Sequence, residues 1–526
     1  MTGSRIRTWI DRPRRQILLK KLFRFLTSRL FISIVLILIQ LFVVFYFVLD
    51  WGYRYFIVSA VVGVLIAVWV YSSDSNPSYK NAWILLILAL PVFGSMMYVL
   101  FGNKKLGYWG RRKIHSYAEI CSCTRTSELP KTIRPGMLTD DDARRQSSYI
   151  SRTAQYEAFA GSRTTFYSLG DKAWPAMRDS MKEAKHFIML EFFIFAPGQM
   201  WDECLEILKS KVSEGVDVYL MYDDMGSINT VSSTFDRMLR NYGIHAIKFN
   251  PIHPRLSARL NYRDHRKICI IDGNTAFNGG INFSDEYINR TIRFGHWKDT
   301  MIRVEGTAVW NYTLMFIQLW SFSSRNEKPL RDVSRFFPTM LCPDDGMVQP
   351  YGDSPLDDVN VSENVYLQMI NSADRYVWIT TPYLILDNEM ITALTVASQS
   401  GVDVRIITPH YPDKKIVFSL TRANYRRLVQ HGVKIYEYTP GFIHSKVFIS
   451  DDKLAIVGTA NMDYRSFYLN FECGTLLNGC SCIKDIKADF DQTIELSQLV
   501  TMKDIRSVSL IRRIGRNLVN LAAPLL

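Results

Sequence analysis

One pattern constrains this chain more than any other: His-x-Lys, an Asp five residues further on, and a small glycine-containing turn that leads to Asn. It occurs in HRKICIIDGNTAFNGGIN and again in HSKVFISDDKLAIVGTAN. The residues that it specifies are His265, Lys267, Asp272 and Asn282 in the first copy and His444, Lys446, Asp451 and Asn461 in the second. An isolated His-x-Lys pair carries no weight, but the whole pattern in two copies predicts a duplicated domain.

The segment between Lys and Asp, KICIID or KVFISD, is typical of a buried strand. Residues i and i+2 of a strand project to the same side, so each copy presents an imidazole and an ammonium together. The glycine-containing turn that follows allows the chain to bring the Asn amide back toward the same place. Two such copies facing each other surround one anion with cations and amide donors, an arrangement that suits phosphate.

A second repeat supports the duplication. The tetrapeptide GVDV occurs at Gly215 and at Gly401, 186 positions apart, and the two motif histidines are 179 positions apart. In each copy a helical segment (200–215, 388–401) separates two strand segments (186–195 and 216–224; 375–385 and 402–409). We therefore predict an α/β fold of two pseudo-symmetric α/β sandwich domains, each with a mixed, partly parallel sheet that is covered on both faces.

The N-terminal region has the composition of a membrane anchor. Nine Lys and Arg residues within residues 1–29 precede apolar runs at about 30–49, 56–71 and 82–101. The first and third runs hold twenty residues each, which is about the number that a helix needs to cross a bilayer. Basic residues flank the runs on both sides, and three full crossings cannot place both groups in the cytoplasm. We expect a multi-pass protein of the cell membrane with a cytoplasmic catalytic part.

These segments give a domain plan. Residues 1–105 form the basic N-terminus and transmembrane helices, 106–160 a linker, 161–335 the first α/β domain and 336–526 the second. The second domain ends in a basic amphipathic stretch, 502–526, which either rests on an anionic surface or packs on its own domain. The excess of 63 Lys and Arg over 50 Asp and Glu suits an anionic membrane and nucleic acid equally well.

Longer strings make the chain resemble a known family. They are NPSYKNAWILLILALPVFG, HRKICIIDGNTAFNGGINFSDEY, HWKDT, HSKVFISDD, TANMDYRSFYLNFE and the terminal APLL. From about residue 55 to the end the chain resembles bacterial cardiolipin synthase of the phospholipase D superfamily, which has the doubled His-Lys-Asp motif. The resemblance implies two phospholipase D-like domains that join two phosphatidylglycerol molecules into cardiolipin and release glycerol, without a metal or other cofactor. The implied partners are phosphatidylglycerol and anionic membrane lipids, not nucleic acid, and the oligomeric state is left open.

The resemblance also implies roles for individual residues. His265 attacks phosphorus and becomes a phosphohistidine, while His444 acts first as an acid and then as a base. The catalytic motif residues are His265, Lys267, Asp272, His444, Lys446 and Asp451, supported by Asn282, Asn461, Asp299 and Glu472. By motif position Asp299, in HWKDT, is the partner that orients His265, and Glu472, in NFE, orients His444. For Asp272 and Asp451, at strand ends, we favour a turn-stabilising role over direct chemistry.

Three other functions fit parts of the sequence. A different phosphatidyl transferase or a hydrolase of the same fold differs in its acceptor, a lipid hydroxyl or water, which no residue decides. A membrane-anchored nuclease uses the same motif, but the apolar runs and the lipid-synthase strings argue against it. A non-catalytic scaffold is expected to have lost part of one motif, and both motifs are intact.

Other candidate residues receive ordinary structural interpretations. The histidines outside the motif, among them His296, His410 and His431, are interpreted as surface or core residues. Glu191 lies within an apolar strand segment, where an unpaired carboxylate is costly. It either lines the pocket or faces a structural arginine.

Overall fold

The computed structural model describes residues 29–54, 56–102, 132–133, 137–252, 261–324, 330, 332–357, 359–509, 515–516, 519–520 and 523. Within them, two α/β halves follow a small group of N-terminal helices. The two halves repeat one arrangement of strands, and this arrangement sets the positions of the two motif copies.

The N-terminal group consists of α1 (Arg29–Arg54), α2 (Phe56–Tyr71), α3 (Pro77–Ala89) and α4 (Pro91–Met97), with a π turn at Tyr98–Gly102. Asn76 begins α3, because its Oδ1 accepts the Ser78 amide and Pro77 suits the first helical position. Pro91 cannot continue that helix and begins α4 instead. None of the helices within the described residues is long and apolar enough to cross a bilayer, so the predicted membrane spans are not confirmed.

The described part of the predicted linker packs on the second half. It contains β1 (Thr132–Ile133), α5 (Asp141–Thr153) and β2 (Ala158–Phe159). Asp140 begins α5, since its Oδ1 accepts the amides of Asp142 and Ala143. Gln146 on this helix donates to the carbonyl of Val365 at 2.9 Å. Both strands extend the sheet of the second half at its edge.

The first half is built on a seven-stranded mixed sheet. Its strands are β3 (Ser162–Tyr167), β4 (Phe187–Phe192), β5 (Asp217–Asp223), β6 (His245–Phe249), β8 (Lys267–Ile271), β9 (Thr275–Gly279) and β11 (Met301–Gly306), in the order β3-β11-β9-β8-β4-β5-β6. The helices are α6 (Gly170–Lys182), α7 (Gln199–Ser213) and α8 (Phe235–Asn241), with a 3-10 turn at Asp285–Ile288; β7 (Arg263–Asp264) and β10 (His296–Lys298) lie outside the sheet. Strands β4, β5 and β6 are parallel and the other pairs are antiparallel, which confirms the predicted mixed sheet.

The second half repeats this order. Its strands are β12 (Met347–Asp353), β13 (Tyr376–Thr380), β14 (Leu384–Ile385), β15 (Asp403–Pro409), β16 (Lys434–Tyr438), β17 (Gly441–Ile443), β18 (Val447–Ser450), β19 (Leu454–Gly458), β20 (Met462–Asp463), β21 (Asn470–Asn478) and β22 (Ser497–Leu499). The helices from the junction onward are α9 (Val309–Ser323), α10 (Val361–Ser372), α11 (Asn388–Gln399), α12 (Lys415–Gln430), α13 (Tyr464–Tyr468), α14 (Cys482–Glu495) and α15 (Met502–Arg506), with a 3-10 turn at Ser334–Phe336. The path β12-β21-β19-β18-β13-β15-β16 is the counterpart of the seven-stranded sheet.

The halves are joined by strand pairs and by a buried helix. Strand β10 pairs in parallel with β17, and β7 pairs in parallel with β21. Helix α9 lies in the core that the halves share, where Trp310, Tyr312 and Trp320 are fully buried. Burial of such large side chains stabilises the contact between the halves.

The C-terminal stretch packs on the second half where the structure describes it. Ala523 is buried with Ile385, Leu420 and Tyr464, and Val519 packs against the same cluster. For these residues the packing alternative is confirmed. Residues 510–514, 517–518, 521–522 and 524–526 of the predicted amphipathic stretch lie outside the described residues.

Candidate active site

Each motif histidine is held by a strand of the opposite half. The His265 amide donates to the carbonyl of Phe471 at 3.0 Å, and the His444 amide donates to the carbonyl of Lys298 at 2.7 Å. These bonds continue the β7–β21 and β10–β17 pairs. Both histidines are buried, so the two rings lie at the interface between the halves.

A carboxylate follows each of these carbonyl groups and binds the ring. Oε1 of Glu472 lies 2.9 Å from Nδ1 of His265, and Oδ2 of Asp299 lies 2.6 Å from Nδ1 of His444. The pairing predicted from the sequence, Asp299 with His265 and Glu472 with His444, is therefore wrong, because the pairs cross between the halves. The cause is the pairing of β10 with β17 and of β7 with β21, which sets each carboxylate beside the ring of the other half.

A carboxylate at Nδ1 determines the tautomer of each imidazole. An ionised carboxylate only accepts hydrogen bonds, so Nδ1 carries the proton and donates it. The lone pair of each neutral ring is then on Nε2, as in catalytic triads. This is the tautomer that a nucleophile or a general base requires.

The two motif lysines are buried beside the histidines. The Nζ of each donates to the backbone carbonyl of the histidine two residues before it, and Nζ of Lys446 also lies 2.9 Å from Nδ1 of His444. Burial lowers the pKa of Lys267 to about 8 and that of Lys446 to about 7. The charges of Asp299 and Glu472 both raise the pKa of each lysine, against the effect of burial. The two motif copies therefore form a single cluster of charges.

This environment also changes the protonation of the imidazoles. Burial, followed by the charges of Lys267 and Lys446, lowers the pKa of His265 well below its ordinary value. Burial and Lys446 lower the pKa of His444 to about 4, against the raising effect of Asp299. Both rings are therefore neutral at pH 7 in the free protein. An anion between the lysines opposes their effect and raises the pKa of both rings.

Glu472 is itself fixed by hydrogen bonds. Its Oε2 accepts the Thr459 hydroxyl at 2.6 Å, and its Oε1 accepts the Asn470 amide group at 3.1 Å. Burial raises the pKa of Glu472 to about 7, while the charge of Lys267 and the Thr459 bond act against that rise. The hydroxyl of Thr459 thus helps to keep the carboxylate ionised and aimed at His265.

Asp299 is held differently. The first motif has Gly280 where the second has Thr459, so no hydroxyl at that position donates to Asp299. Its Oδ1 accepts the Thr300 amide at 2.9 Å. A Cβ atom at Gly280 would lie 2.0 Å from this same Oδ1, so a side chain at position 280 would displace the carboxylate. Gly280 gives Asp299 the room to reach His444, whereas Thr459, at the equivalent position, donates to the other carboxylate.

The two motif asparagines are oriented by protein partners. Oδ1 of Asn282 accepts the Ile194 amide at 3.1 Å, and its Nδ2 donates to Oη of Tyr287 at 2.8 Å. Nδ2 of Asn461 donates to Oδ2 of Asp463 at 3.1 Å. Each amide nitrogen has a second hydrogen beyond these bonds, so each retains a donor for an anion.

The motif aspartates hold the backbone and not the rings. Asp272 accepts the amides of residues 185–187, each at 2.8 Å, at the start of β4. Asp451 accepts the amides of residues 374–376, at 2.8 to 2.9 Å, at the start of β13. Both have a positive φ, +52° and +55°, at the turns that end the motif strands. These bonds support the turn-stabilising role that we favour for both aspartates over direct chemistry.

Buried charged side chains contact the backbone of Glu472, the partner of His265. Nη1 of Arg266 lies 3.6 Å from Oε1 of Glu191, and its Nε donates to the carbonyl of Glu472 at 3.2 Å. Glu191 thus faces a structural arginine, which decides between the two interpretations of this residue. Burial raises the pKa of Glu191 and that of the adjacent Asp264.

Two aromatic rings beside the site, those of Tyr287 and Trp297, were not identified from the sequence. The rings of Tyr287 and Trp297 lie 5.7 and 5.6 Å from the ring of His444. The available signal is position along the chain, because Tyr287 follows Asn282 by five residues and Trp297 precedes Asp299 by two. Both rings shield the imidazole from water on the sides that they cover.

Comparison with known proteins agrees with this geometry. Residues 177–312 and 366–494 match the family described as cardiolipin synthase, PLD-like domain, and residues 60–103 match the phospholipase D-nuclease N-terminal family. A cardiolipin synthase of Geobacillus kaustophilus is 33% identical over 466 residues, which cover 88% of this chain and 92% of that protein. Cardiolipin synthase 2 of Bacillus anthracis is 34% identical and covers 88% of this chain and 90% of its own. A Streptococcus mutans protein described as uncharacterized is 42% identical over 84% of this chain and 96% of its own.

A solved structure shares the fold at low sequence identity. The phosphatidylserine synthase of Haemophilus influenzae superposes with a TM-score of 0.57 at 14% identity, over 72% of this chain and all of that protein. The match extends over both halves and agrees with the repeated strand order. The chain therefore belongs to the cardiolipin synthase family of the phospholipase D superfamily and is a phosphatidyltransferase.

Proposed function

We propose that this protein makes cardiolipin, by transferring the phosphatidyl group of one phosphatidylglycerol to a headgroup hydroxyl of a second and releasing glycerol. The observation that carries the proposal is the crossed pair of imidazole–carboxylate contacts, with two buried lysines in the same charge cluster. Such a site neutralises a phosphodiester and supplies both a nucleophile and an acid. The relatives named cardiolipin synthase support phosphatidylglycerol as the substrate.

In the first step His265 attacks the phosphorus atom. Its Nε2 lone pair forms an N–P bond while the P–O bond to the headgroup glycerol breaks. The bound phosphate raises the pKa of His444, which becomes protonated and gives its Nε2 proton to the leaving glycerol oxygen. Lys267 and Lys446 neutralise the charge that develops on the phosphoryl oxygens, and Asp299 stabilises the imidazolium of His444.

In the second step the roles of the second histidine reverse. His444 is now neutral and removes the proton from a headgroup hydroxyl of another phosphatidylglycerol. The hydroxyl oxygen attacks phosphorus, the N–P bond breaks, and His265 returns to its neutral form. The two substitutions balance in bonds and protons, and the residues of this site supply every group that they need.

The proposal also covers the cellular location of the enzyme and the membrane side on which its two halves lie. The N-terminal region holds the enzyme at the membrane that contains its substrate, and the two halves, divided near residue 335, face the cytoplasm. The match of residues 60–103 to an N-terminal family of phospholipase D proteins supports the first point. Protease treatment of inside-out and right-side-out membrane vesicles tests the second, because only inside-out vesicles should lose the catalytic halves.

A direct assay tests the reaction. Purified full-length protein is incubated with phosphatidylglycerol vesicles, and released glycerol and a four-chain lipid are followed by mass spectrometry. Wild type and His431→Ala, which changes an exposed ring, should form both products, and His265→Ala should form neither. The proposal fails if wild type forms no cardiolipin or if His265→Ala matches wild type. Phosphatidic acid in place of cardiolipin would identify a hydrolase.

The assignment of roles has its own test. The phosphohistidine should form more slowly in His444→Ala but persist, because the first step keeps its nucleophile and loses its acid, while the second step loses its base. No phosphohistidine should form in His265→Ala. Protein that has reacted with headgroup-phosphate-labelled lipid and is quenched in alkaline denaturant, where the N–P bond survives, shows the difference, and the opposite pattern would exchange the two roles.

A further inference from the structure

Two loops beside the active site, one from each half, expose isoleucine side chains. We call them the entrance loops and define them as residues 289–295 and 411–416; Lys415 and Ile416, at the end of the second, form the start of α12. Ile292 is 83% exposed and Ile416 is 62% exposed, although isoleucine is among the residues most often buried. Tyr411, in the second entrance loop, is 49% exposed.

The first entrance loop is tied to the catalytic ring at both ends. Tyr287 precedes it and Trp297 follows it, and both rings contact the ring of His444. Asn289 closes the loop, because its Nδ2 donates to the Trp297 carbonyl at 2.9 Å and its Oδ1 accepts the Trp297 amide at 2.7 Å. Ile292 therefore stands at the tip of a short loop whose base covers the acid–base histidine.

The second entrance loop borders the same opening. Oη of Tyr383 donates to Oδ2 of Asp413 at 2.5 Å, and Nζ of Lys414 lies 5.4 Å from the centre of the Tyr383 ring. The charge of Lys414 contributes to lowering the pKa of His265, and that of Asp413 to raising the pKa of Tyr287. This loop, which belongs to the second half, is therefore close to His265 and Tyr287 of the first half.

Cations accompany the exposed apolar side chains in both loops. Arg290 and Arg293 flank Ile292 and form ion pairs of 3.8 and 3.1 Å with two glutamates. Both arginines are well exposed, so these pairs contribute little and can exchange for a phosphate. In the second half, residues 414–430 contain five Lys and Arg and no acid. An apolar tip surrounded by cations suits a surface of anionic phospholipid.

The N-terminal helices are attached close to these loops. Nδ2 of Asn76, which begins α3, donates to Oη of Tyr468 at 2.8 Å and to Oδ2 of Asp387 at 3.2 Å. Tyr468 lies on α13, the helix that also contains Arg465. The charge of Arg465 contributes to lowering the pKa of His265. The helices that match the N-terminal family are thus anchored beside the active site and not at a distant face.

From these contacts we infer that the two entrance loops form a bilayer-docking surface, which inserts Ile292 and Ile416 among anionic phospholipids and sets the site over its substrate. The inference rests on the proposed function, because it requires a substrate that resides in a membrane. The loops come from opposite halves, so docking places both sides of the opening against the lipid surface. A lipid headgroup then reaches the buried histidines without leaving the bilayer completely.

Substrates of different physical state provide the test. The full-length protein is reconstituted in phosphatidylcholine vesicles and given either long-chain phosphatidylglycerol in the bilayer or short-chain phosphatidylglycerol below its aggregation concentration. The variants are Ile292→Ser, Ile416→Ser and the double variant. The matched control is Val396→Ser, which changes a 53% exposed side chain near the C-terminal end of α11.

The double variant should lose roughly tenfold or more of kcat/KM on bilayer substrate, because two buried apolar contacts with lipid are removed. It should keep its activity on the dispersed short-chain lipid, and Ile292→Leu with Ile416→Leu should restore bilayer activity. Equal bilayer activity in the double variant and Val396→Ser would overturn the inference. Loss on both substrates would also overturn it, because the loops would then serve catalysis itself. Failure of wild type on both substrates would instead reject the proposed function.

Discussion

Nδ1 of His265 lies 2.9 Å from Oε1 of Glu472, a carboxylate that the other half of the chain supplies. The reciprocal contact joins Asp299 of the first half to His444 of the second at 2.6 Å. The carboxylate at each Nδ1 atom thus comes from the opposite half. Catalytic competence is therefore a property of the interface between the halves, and substitutions of the carboxylates should affect the histidine of the opposite copy.

Glu472→Gln and Asp299→Asn should each lower kcat, by about 10²- to 10⁴-fold, because each loses the group that fixes one tautomer. Their intermediates should differ. Asp299→Asn impairs His444 and should accumulate phosphohistidine, whereas Glu472→Gln impairs the nucleophile His265 and should not. Quenching in alkaline denaturant, after reaction with labelled phosphatidylglycerol, measures the difference.

If each carboxylate instead oriented the histidine of its own half, Glu472→Gln would accumulate phosphohistidine and Asp299→Asn would not. The matched control is Glu437→Gln, which changes a buried carboxylate that pairs with Arg422, outside the active site. Its phosphohistidine level should equal that of wild type.

The pH profile should have an alkaline limb close to neutrality. Burial lowers the pKa of Lys446 to about 7 and that of Lys267 to about 8, so both ammonium groups lose their charge as the pH rises through these values. Because kcat/KM reports the free enzyme, it should fall above about pH 7 to 8. In Lys446→Arg the guanidinium stays charged, so the limb should move to higher pH at a reduced maximum.

The exposed substitution Lys453→Arg is the control for that profile and should leave it unchanged. A wild-type kcat/KM that is flat up to pH 9 would contradict the lowered lysine pKa values.

Gly280 and Thr459 occupy equivalent positions of the two motif copies, but their substitution should affect activity differently. Gly280→Ala places a Cβ atom 2.0 Å from the present position of Oδ1 of Asp299, so activity should fall at least about tenfold as the carboxylate moves away from His444. Thr459→Ser keeps the hydroxyl that donates to Glu472 and should stay within about twofold of wild type, while Thr459→Ala should lose about tenfold or more.

Initial rates on phosphatidylglycerol vesicles, together with circular dichroism to verify folding, measure these effects. Serine distinguishes the positions, and a loss of activity in Gly280→Ser no larger than that in Thr459→Ser would contradict the asymmetry.

Asp272→Asn and Asp451→Asn should act on stability and not on chemistry. Asparagine tolerates the positive φ at both positions but provides one acceptor oxygen for three backbone amides. The free energy of unfolding should fall by about 1 to 3 kcal/mol in each variant. Denaturant unfolding measures the loss, and the rate per folded molecule should change by no more than severalfold.

The exposed substitution Asp491→Asn serves as the reference and should be nearly neutral for stability. A loss of turnover as large as that of His265→Ala, without a loss of stability, would return the aspartates to a catalytic role.

Local features of this fold could be predicted from the sequence because local periodicity determines them. The segment 186–195 contains β4 (Phe187–Phe192), 216–224 contains β5 (Asp217–Asp223), and 200–215 overlaps α7 (Gln199–Ser213). The alternation within KICIID and KVFISD likewise located β8 and β18. Equal spacing of the motif copies predicted the repeat that the strand order shows.

The partners of the catalytic rings could not be predicted in the same way. Which carboxylate meets which imidazole depends on the parallel pairing of β10 with β17 and of β7 with β21, across more than a hundred residues of chain. Spacing within one motif copy contains no information about that register. The close approach of Gly280 to Asp299 is a consequence of the same packing. The sequence therefore predicted a glycine-containing turn but not the contact that requires the glycine.

The crossing of the carboxylates also bears on the synthesis of the protein. A chain leaves the ribosome with its N-terminus first, so the segment with His265 is complete while Glu472 has not yet been translated. Under the proposed mechanism, a nascent or truncated polypeptide that reaches the bilayer early has His265 without its carboxylate partner, and we expect it not to attack the surrounding phospholipid. Activity on lipid should therefore begin only when translation is nearly finished, which would spare the membrane from incomplete enzyme.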